Sequence, residues 1–244
     1  MPRRHIQRVA HLVMPLAGVA YAGRGVECPV CGARYRRFMP YGYVTVRPNA
    51  LCPRCLALER HRLMWLYLSR ETGFFYGGFR LLHIAPEHCF IKRFRRLLGE
   101  GYVTADLESP LADVKMDVQA IPFGEGEFDA IFCNHILEHV DDDRLAMREM
   151  FRVMRPGGWG IMLSPVTRGK ARTYEDPSIT TPEGRREAFG QPDHLREYGE
   201  DYTERLAEAG FEVDAVDYFH WFGSEDAALY GLRDEIIYVV RKPL

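Results

Sequence analysis

Four cysteines stand in two pairs, Cys28-Pro-Val-Cys31 and Cys52-Pro-Arg-Cys55, with twenty residues between the pairs. Two residues between cysteines let both thiolates turn inward on one tight knuckle, and two knuckles complete a tetrahedral four-sulfur site suited to zinc. Such a closed site holds a fold together, whereas a catalytic zinc keeps one position open; a dithiol redox pair is the other chemistry the spacing permits. Cys89 and Cys133 read as small core residues rather than nucleophiles. A second set of reactive types lies further on. Asp106, Asn134 and His135 fall at the ends of apolar runs, Glu138 and His139 follow, and Gln191, Asp193, His194, Arg196 and Tyr198 crowd into one polar, aromatic stretch. A histidine with an ordinary pKa near ~6.5 suits proton acceptance at neutral pH, and Asp193 and Arg196 flank His194. His194 is therefore the candidate to orient or deprotonate a reacting group, with His135 beside it as a second catalytic candidate. Gln191, Arg196 and Tyr198 are candidate substrate contacts. His139 reads as a packed or solvated side chain.

These residues need a frame. Residues 128–133 are a short apolar run bounded by Gly124-Glu125-Gly126-Glu127, the signature of a fully buried parallel strand, and the run ends at Asn134-His135. Leu145, Met150, Val153 and Met154 then recur at helical spacing, and Pro156-Gly157-Gly158 stops that helix before a second apolar run at 159–163. Earlier, a helix is expected over 56–70, a first core strand over 80–85 and a second over 102–107, which carries Asp106 at its carboxyl end. Tyr41-Gly-Tyr-Val-Thr-Val46 is expected to form strands joining the knuckles. Residues 167–200 lack clear periodicity and read as a lid or substrate loop. Asp201-Tyr-Thr-Glu204 resembles a capping box opening a helix that Gly210 ends, and 213–218 and 235–240 supply the last strands.

At 244 residues the chain can bury one large α/β core plus an appendage. The net charge of −2 conceals an asymmetry: residues 1–70 hold 12 arginines against Glu27 and Glu59, a balance of +10, so the remainder carries −12. The basic part could face RNA, an anionic membrane or the acidic part itself. No run reaches the length of a membrane span. Residues 1–25 read as an amphipathic surface segment able to touch a membrane peripherally, although Arg3, Arg4 and Arg8 ahead of an apolar stretch also have the form of a signal peptide. His11 and Pro15 interrupt that stretch, and four metal-spaced cysteines suit a reducing, cytoplasmic compartment.

Asp117, Pro122-Phe123, Phe128-Asp129, Leu137-Glu138-His139-Val140 and Arg152-Val153-Met154-Arg155-Pro156-Gly157-Gly158 together resemble the core of class I S-adenosylmethionine-dependent methyltransferases. With the four-cysteine knuckles and Phe189-Gly-Gln-x-Asp-His-x-Arg-x-Tyr-Gly199, the pattern is similar to bacterial zinc-ribbon methyltransferase-like proteins of unassigned substrate. The resemblance implies a Rossmann-like α/β sheet of seven strands, order 3-2-1-4-5-7-6 with the last strand antiparallel. It divides the chain into an N-terminal segment (1–25), a zinc ribbon (26–58) and a methyltransferase domain (59–244) with a substrate loop at 167–200. It implies S-adenosylmethionine as cofactor, with Asp106 on the ribose and Asp117 by the adenine amino group, supported by Leu107, Val118 and Asn134. At the first strand's end the family shows a glycine-rich turn, but this chain has His83-Ile84-Ala85-Pro86-Glu87. There His83, Ala85 and Glu87 would meet the cofactor in a modified way, unless the domain has lost it. The expected activity is methyl transfer to a small-molecule or sugar-like acceptor. RNA methylation through the basic ribbon, and a non-catalytic adaptor with a degenerate cofactor site, stand as alternatives.

Overall fold

The computed structural model describes residues 18–42 and 44–244. The amphipathic segment expected at 1–25 lies, for residues 1–17, outside the described residues. In chain order the elements are β1 (Ala22–Glu27), β2 (Arg34–Tyr35), β3 (Met39–Tyr41), β4 (Arg47–Leu51), α1 (Glu59–Arg70), β5 (Leu81–Ile84), α2 (His88–Leu98), β6 (Tyr102–Asp106) and β7 (Val114–Lys115). There follow β8 (Phe128–Cys133), α3 (Asp143–Val153), β9 (Met154–Ile161), β10 (Tyr174–Glu175), α4 (Pro182–Phe189), β11 (Arg196–Glu197), α5 (Tyr202–Glu208), β12 (Glu212–Val216), α6 (Ser224–Tyr230) and β13 (Ile237–Arg241).

Two compact units result. One gathers the described residues up to Gly77 with Glu87–Leu97 and Asp217–Ile236; the other is formed by Gly78–Pro86, Leu98–Val216 and Ile237–Leu244. In this division α1, most of α2 and the 217–236 segment cluster with the cysteine knuckles.

In the first unit, β1 pairs with β2 and β3 with β4, both antiparallel. Gly42 and residues 44–46, expected as strand, instead lie outside β3 and β4, and Val44 and Val46 are exposed. Trp65 of α1 lies parallel to Phe90 and Phe94 of α2, with ring centroids 6.0 and 6.3 Å apart. Such aromatic faces bury large areas at little rotamer cost, and they form this unit's apolar centre.

The second unit is a seven-stranded sheet, order β12-β13-β9-β8-β5-β6-β7. β7, β6, β5, β8 and β9 run parallel, while β13 is antiparallel to both β9 and β12. This is the expected order 3-2-1-4-5-7-6 with its last strand reversed. All four residues of β5 are buried, and all of β8 but Asp129, which is why both read as unbroken apolar runs. The buried face of α3 is Ala146, Met147, Met150 and Val153, whereas Leu145 is exposed. Helix α3 ends at Val153, ahead of Pro156-Gly157-Gly158, which lies within β9 where its register against β8 slips, Phe128 opposing Met154 and Ala130 opposing Trp159. A Cβ on Gly160 would come 2.3 Å from the Ile131 carbonyl oxygen, so the strand tolerates no side chain there.

Candidate active site and metal centre

The two knuckles fold alike. Gly32 donates to the Cys28 carbonyl and Leu56 to the Cys52 carbonyl, and both residues take left-handed φ values, 67° and 63°. Sulfur to sulfur, Cys28 and Cys55 are 3.6 Å apart and Cys31 and Cys52 are 3.7 Å apart. A tetrahedron with metal–sulfur bonds of about 2.3 Å has edges of about 3.8 Å, so the four donors fit one zinc ion. Arg62 of α1 is fully buried nearby. Its guanidinium donates to the carbonyls of Ala50, Ala57, Tyr230 and Gly231 and lies 4.1 Å from the Phe38 ring centroid. Burial pulls its pKa down and the charges of Cys28, Glu59, Cys52 and Cys55 push the other way, so Arg62 sits in the field of the thiolates. Part of the ribbon's basic charge is thus used internally: Arg34 pairs with Glu27 and Arg47 with Glu59, while Arg24, Arg36, Arg37 and Arg54 are exposed.

In the second unit, open sheets of this kind bind ligands at the carboxyl ends of their strands. Two residues there depart from ordinary backbone geometry. Ala85, after β5, has φ of 49°, and His135, after β8, has φ of 56°. A left-handed residue with a Cβ costs about 1–2 kcal/mol, and such strain gathers at functional sites. Ala85 therefore makes the sharp turn that a glycine would make freely, its N–H donating to the Ala105 carbonyl at 2.8 Å. We expect Ala85→Gly to raise stability by about 1 kcal/mol once the greater freedom of unfolded glycine is subtracted, read as a Tm increase of a few degrees. A lower Tm would mean that the turn is not strained.

His83 lies inside the sheet, fully buried, with Nδ1 2.8 Å from the Tyr102 hydroxyl, so its ring is engaged in the core. Glu87 falls where the chain leaves the sheet unit. Asp106 ends β6, and its Oδ1 accepts from the N–H groups of Glu108 and Ser109 at 2.8 and 2.6 Å. That turn fixes the carboxylate, leaves Oδ2 for a ligand, and is followed by Leu107, which is 56% exposed. Asp117 is exposed and accepts from the Gln119 N–H, and Val118 beside it is buried. Asn134 is buried, its Oδ1 accepting from Leu163 N–H at 3.3 Å.

Past Asn134 the side chains converge on Glu138. This carboxylate is buried; its Oε1 stands 3.3 Å from His135 Nδ1, and its Oε2 accepts from the Ser164 hydroxyl at 3.1 Å. Burial alone would raise its pKa, but the His135 hydrogen bond and the charges of His135 and His139 hold it below the usual range. The 190–198 loop meets the same turn: Leu195 N–H donates to the Glu138 carbonyl at 2.8 Å, and His139 Nδ1 lies 3.0 Å from the Asp193 carbonyl oxygen. The His139 and His194 rings meet edge to face at 4.8 Å between centroids. His194 is buried, and burial lowers its pKa; Glu138 opposes that shift and His139 adds to it. The loop histidine and the acidic turn are thus brought together, while Gln191 is exposed and only its carbonyl takes part in the turn, accepting from His194 N–H.

Arg196 and Tyr198, the other candidate contacts of this loop, are both buried. Arg196 is buried and donates to the carbonyls of Leu137, Val140 and Asp141 and to Glu175. The Tyr198 hydroxyl donates to Asp143 Oδ2 at 2.7 Å, and Arg205 holds the same carboxylate through two bonds at 3.0 and 2.8 Å. Their polar groups are taken up inside the protein, where they clamp the loop to the turn after β8. Asp143 and Glu175, the acids of this clamp, carried no sequence signal beyond their charge.

Residues 79–162 match a family profile described as a methyltransferase domain. A probable S-adenosylmethionine-dependent methyltransferase of Mycolicibacterium smegmatis is 30% identical over 137 residues, covering 53% of this chain and 49% of that protein. The chain thus spans about half the length of that relative. The ubiquinone/menaquinone biosynthesis C-methyltransferase UbiE of Pectobacterium carotovorum is 24% identical over 173 residues, covering 58% and 68% of the two chains. Among solved structures, a Burkholderia thailandensis 1,6-didemethyltoxoflavin-N1-methyltransferase with bound substrate and S-adenosylhomocysteine superposes with a TM-score of 0.49 at 16% identity, covering 75% of this chain and 76% of that one.

Proposed function

We propose that this chain, a class I S-adenosylmethionine-dependent methyltransferase by its sheet and by the domain at 79–162, transfers the sulfonium methyl group to a small-molecule acceptor bound beneath the 190–198 loop. The observation that carries the reading is the placement of Asp106 at the carboxyl end of β6, beside the strained Ala85 turn of β5. In this assignment Asp106 accepts from the ribose hydroxyls and Leu107 covers one face of the adenine. Asp117 and Val118 meet its edge. Methyl transfer depends mainly on holding donor and acceptor in line, with a base only where the acceptor must lose a proton. Asn134, His135 and the Glu138–His139–His194 cluster form the acceptor end. A small acceptor suits the loop's clamped attachment, and the UbiE relatives are named for small-molecule biosynthesis.

Calorimetry with S-adenosylhomocysteine tests the cofactor half. Loss of a hydrogen bond to a charged group costs about 1.5–3 kcal/mol, so Asp106→Ala should weaken binding by roughly tenfold or more. Asp106→Asn, which keeps an acceptor oxygen, should lose less. Absence of binding to the wild type at millimolar cofactor would leave the adaptor reading in its place.

The four cysteines are assigned one structural zinc, supported by sulfur separations that suit a tetrahedron and by the absence of an open coordination position. Among the described residues no helix is long and apolar enough to cross a membrane.

A further inference from the structure

We infer that Glu138, His139 and His194 form a second metal site, for a divalent first-row transition ion, which holds an oxygen-bearing acceptor at the carboxyl edge of β8. The inference rests on the reading of that edge as the place of methyl transfer. Each of the three residues offers one ligand atom, and these atoms lie within 4.8 Å of one another. Donors sharing an ion at bonds of about 2.0–2.2 Å stand roughly 3–3.5 Å apart, so the cluster needs to close by little more than about an ångström.

Each ligand is already oriented. His139 Nδ1 lies 3.0 Å from the Asp193 carbonyl oxygen, which fixes a proton on that nitrogen and leaves the lone pair on Nε2. Imidazoles that bind metals are held in this way by a carbonyl or carboxylate on the other nitrogen. The His194 ring is buried and packs edge to face against the His139 ring, with centroids 4.8 Å apart. Glu138 is fixed by Ser164 on Oε2 and by His135 beside Oε1, with lone pairs remaining on both oxygens. Glu138 and His139 come from the turn that Arg196 clamps through the Leu137 and Val140 carbonyls, and His194 from the loop that Leu195 ties to Glu138. The ligands are therefore supplied by two segments whose relative position is set without an ion.

Two imidazoles and one carboxylate suit zinc, iron(II) or manganese rather than calcium or magnesium, and they leave coordination positions for exogenous oxygen. An acceptor hydroxyl brought there gives up its proton to water more readily. Its oxygen attacks the methyl carbon, the sulfur–methyl bond breaks as the oxygen–methyl bond forms, and the sulfonium becomes a neutral thioether. The balance is one proton released per methyl group moved.

Cobalt(II) is the probe. The full chain, with its ribbon metal in place, is titrated by equilibrium dialysis while absorption is recorded. The expected result is one further cobalt per chain, with d–d bands and no thiolate charge-transfer band, since its ligands are nitrogen and oxygen. His139 is a third exposed, so His139→Ala should fold, keep its ribbon metal and its S-adenosylhomocysteine affinity, and lose the second cobalt up to millimolar concentration. Ser164→Ala, which removes the hydroxyl that donates to Glu138 Oε2, should weaken the second site by about tenfold or more. Failure of the wild type to take up a second cobalt, or undiminished uptake by His139→Ala, overturns the inference. Uptake of cobalt by a protein that binds no S-adenosylhomocysteine would support the site and remove the methyl-transfer reading instead.

Discussion

Cys28→Ala is expected to release the ribbon metal and unfold the unit that contains it. Structural zinc in small four-ligand domains contributes about 10–16 kcal/mol, which is as large as the roughly 5–15 kcal/mol of net stability that a whole domain retains. The ribbon has little else to rely on, for β1–β2 and β3–β4 are short two-stranded pairs, which are marginal in water. The unit also buries the Arg62 cation among carbonyls and near the thiolates, so removing metal and charge together leaves that guanidinium in an unbalanced setting. Metal analysis of protein purified without added zinc should give one zinc per chain for the wild type and none for the variant. Melting of the variant should begin with a separate low-temperature transition. Full zinc content with an unchanged melt would remove the structural-zinc assignment.

How far such features can be read beforehand depends on whether their cause is local. The knuckle spacing is local, and so are the apolar runs of β5 and β8, because burial on both faces leaves no alternation for polar residues to occupy. Helix α4 was also legible, though the 167–200 stretch read as loop. Thr181 caps it by accepting from Gly184 N–H, Pro182 stands in its first turn and Gly190 ends it at φ of 83°. The signal missed there was capping chemistry, not periodicity. Asp201 failed in the opposite sense. Its sequence setting resembles a cap, yet Oδ1 accepts from Thr173 N–H and hydroxyl, both at 2.7 Å, and caps nothing in α5. The competing donors lie far back in the chain. Ala85 and His135 could not be read as left-handed, because nothing in a non-glycine residue announces it. For the same reason the partners of Arg196 could not be read: they are the carbonyls of a turn some fifty-five residues earlier, and backbone oxygens carry no sequence mark.

Those carbonyls and Asp143 make the clamp the second place where one substitution should matter greatly. Asp143 is buried among Arg196, Tyr198 and Arg205. Removing one partner of a buried ion pair typically costs about 3–5 kcal/mol, because the remaining charges stay desolvated without compensation. Asp143→Asn keeps the volume and strands two guanidinium groups, with the exposed Glu175 as their remaining acidic partner among the described residues. At about 2–4 °C per kcal/mol for a chain of this size, Tm should fall by about 6–20 °C. Tyr198→Phe, which deletes one hydrogen bond to the carboxylate, should cost about 1.5–3 kcal/mol. The pH dependence separates charge from packing. Burial works to raise the Asp143 pKa, but hydrogen bonds from Arg205 and Tyr198 and the charge of Arg196 outweigh it and hold the carboxyl below its ordinary value. A depressed folded-state pKa gives stability that is fully present above the unfolded value of about 3.9 and is lost as pH falls through the folded one. The Tm gap between wild type and Asp143→Asn should therefore hold steady from about pH 8 to pH 5 and narrow below about pH 4. A gap that stayed constant to pH 3 would mean that Asp143 contributes shape rather than charge, and a gap near zero at pH 7 would show that the clamp does not hold the loop.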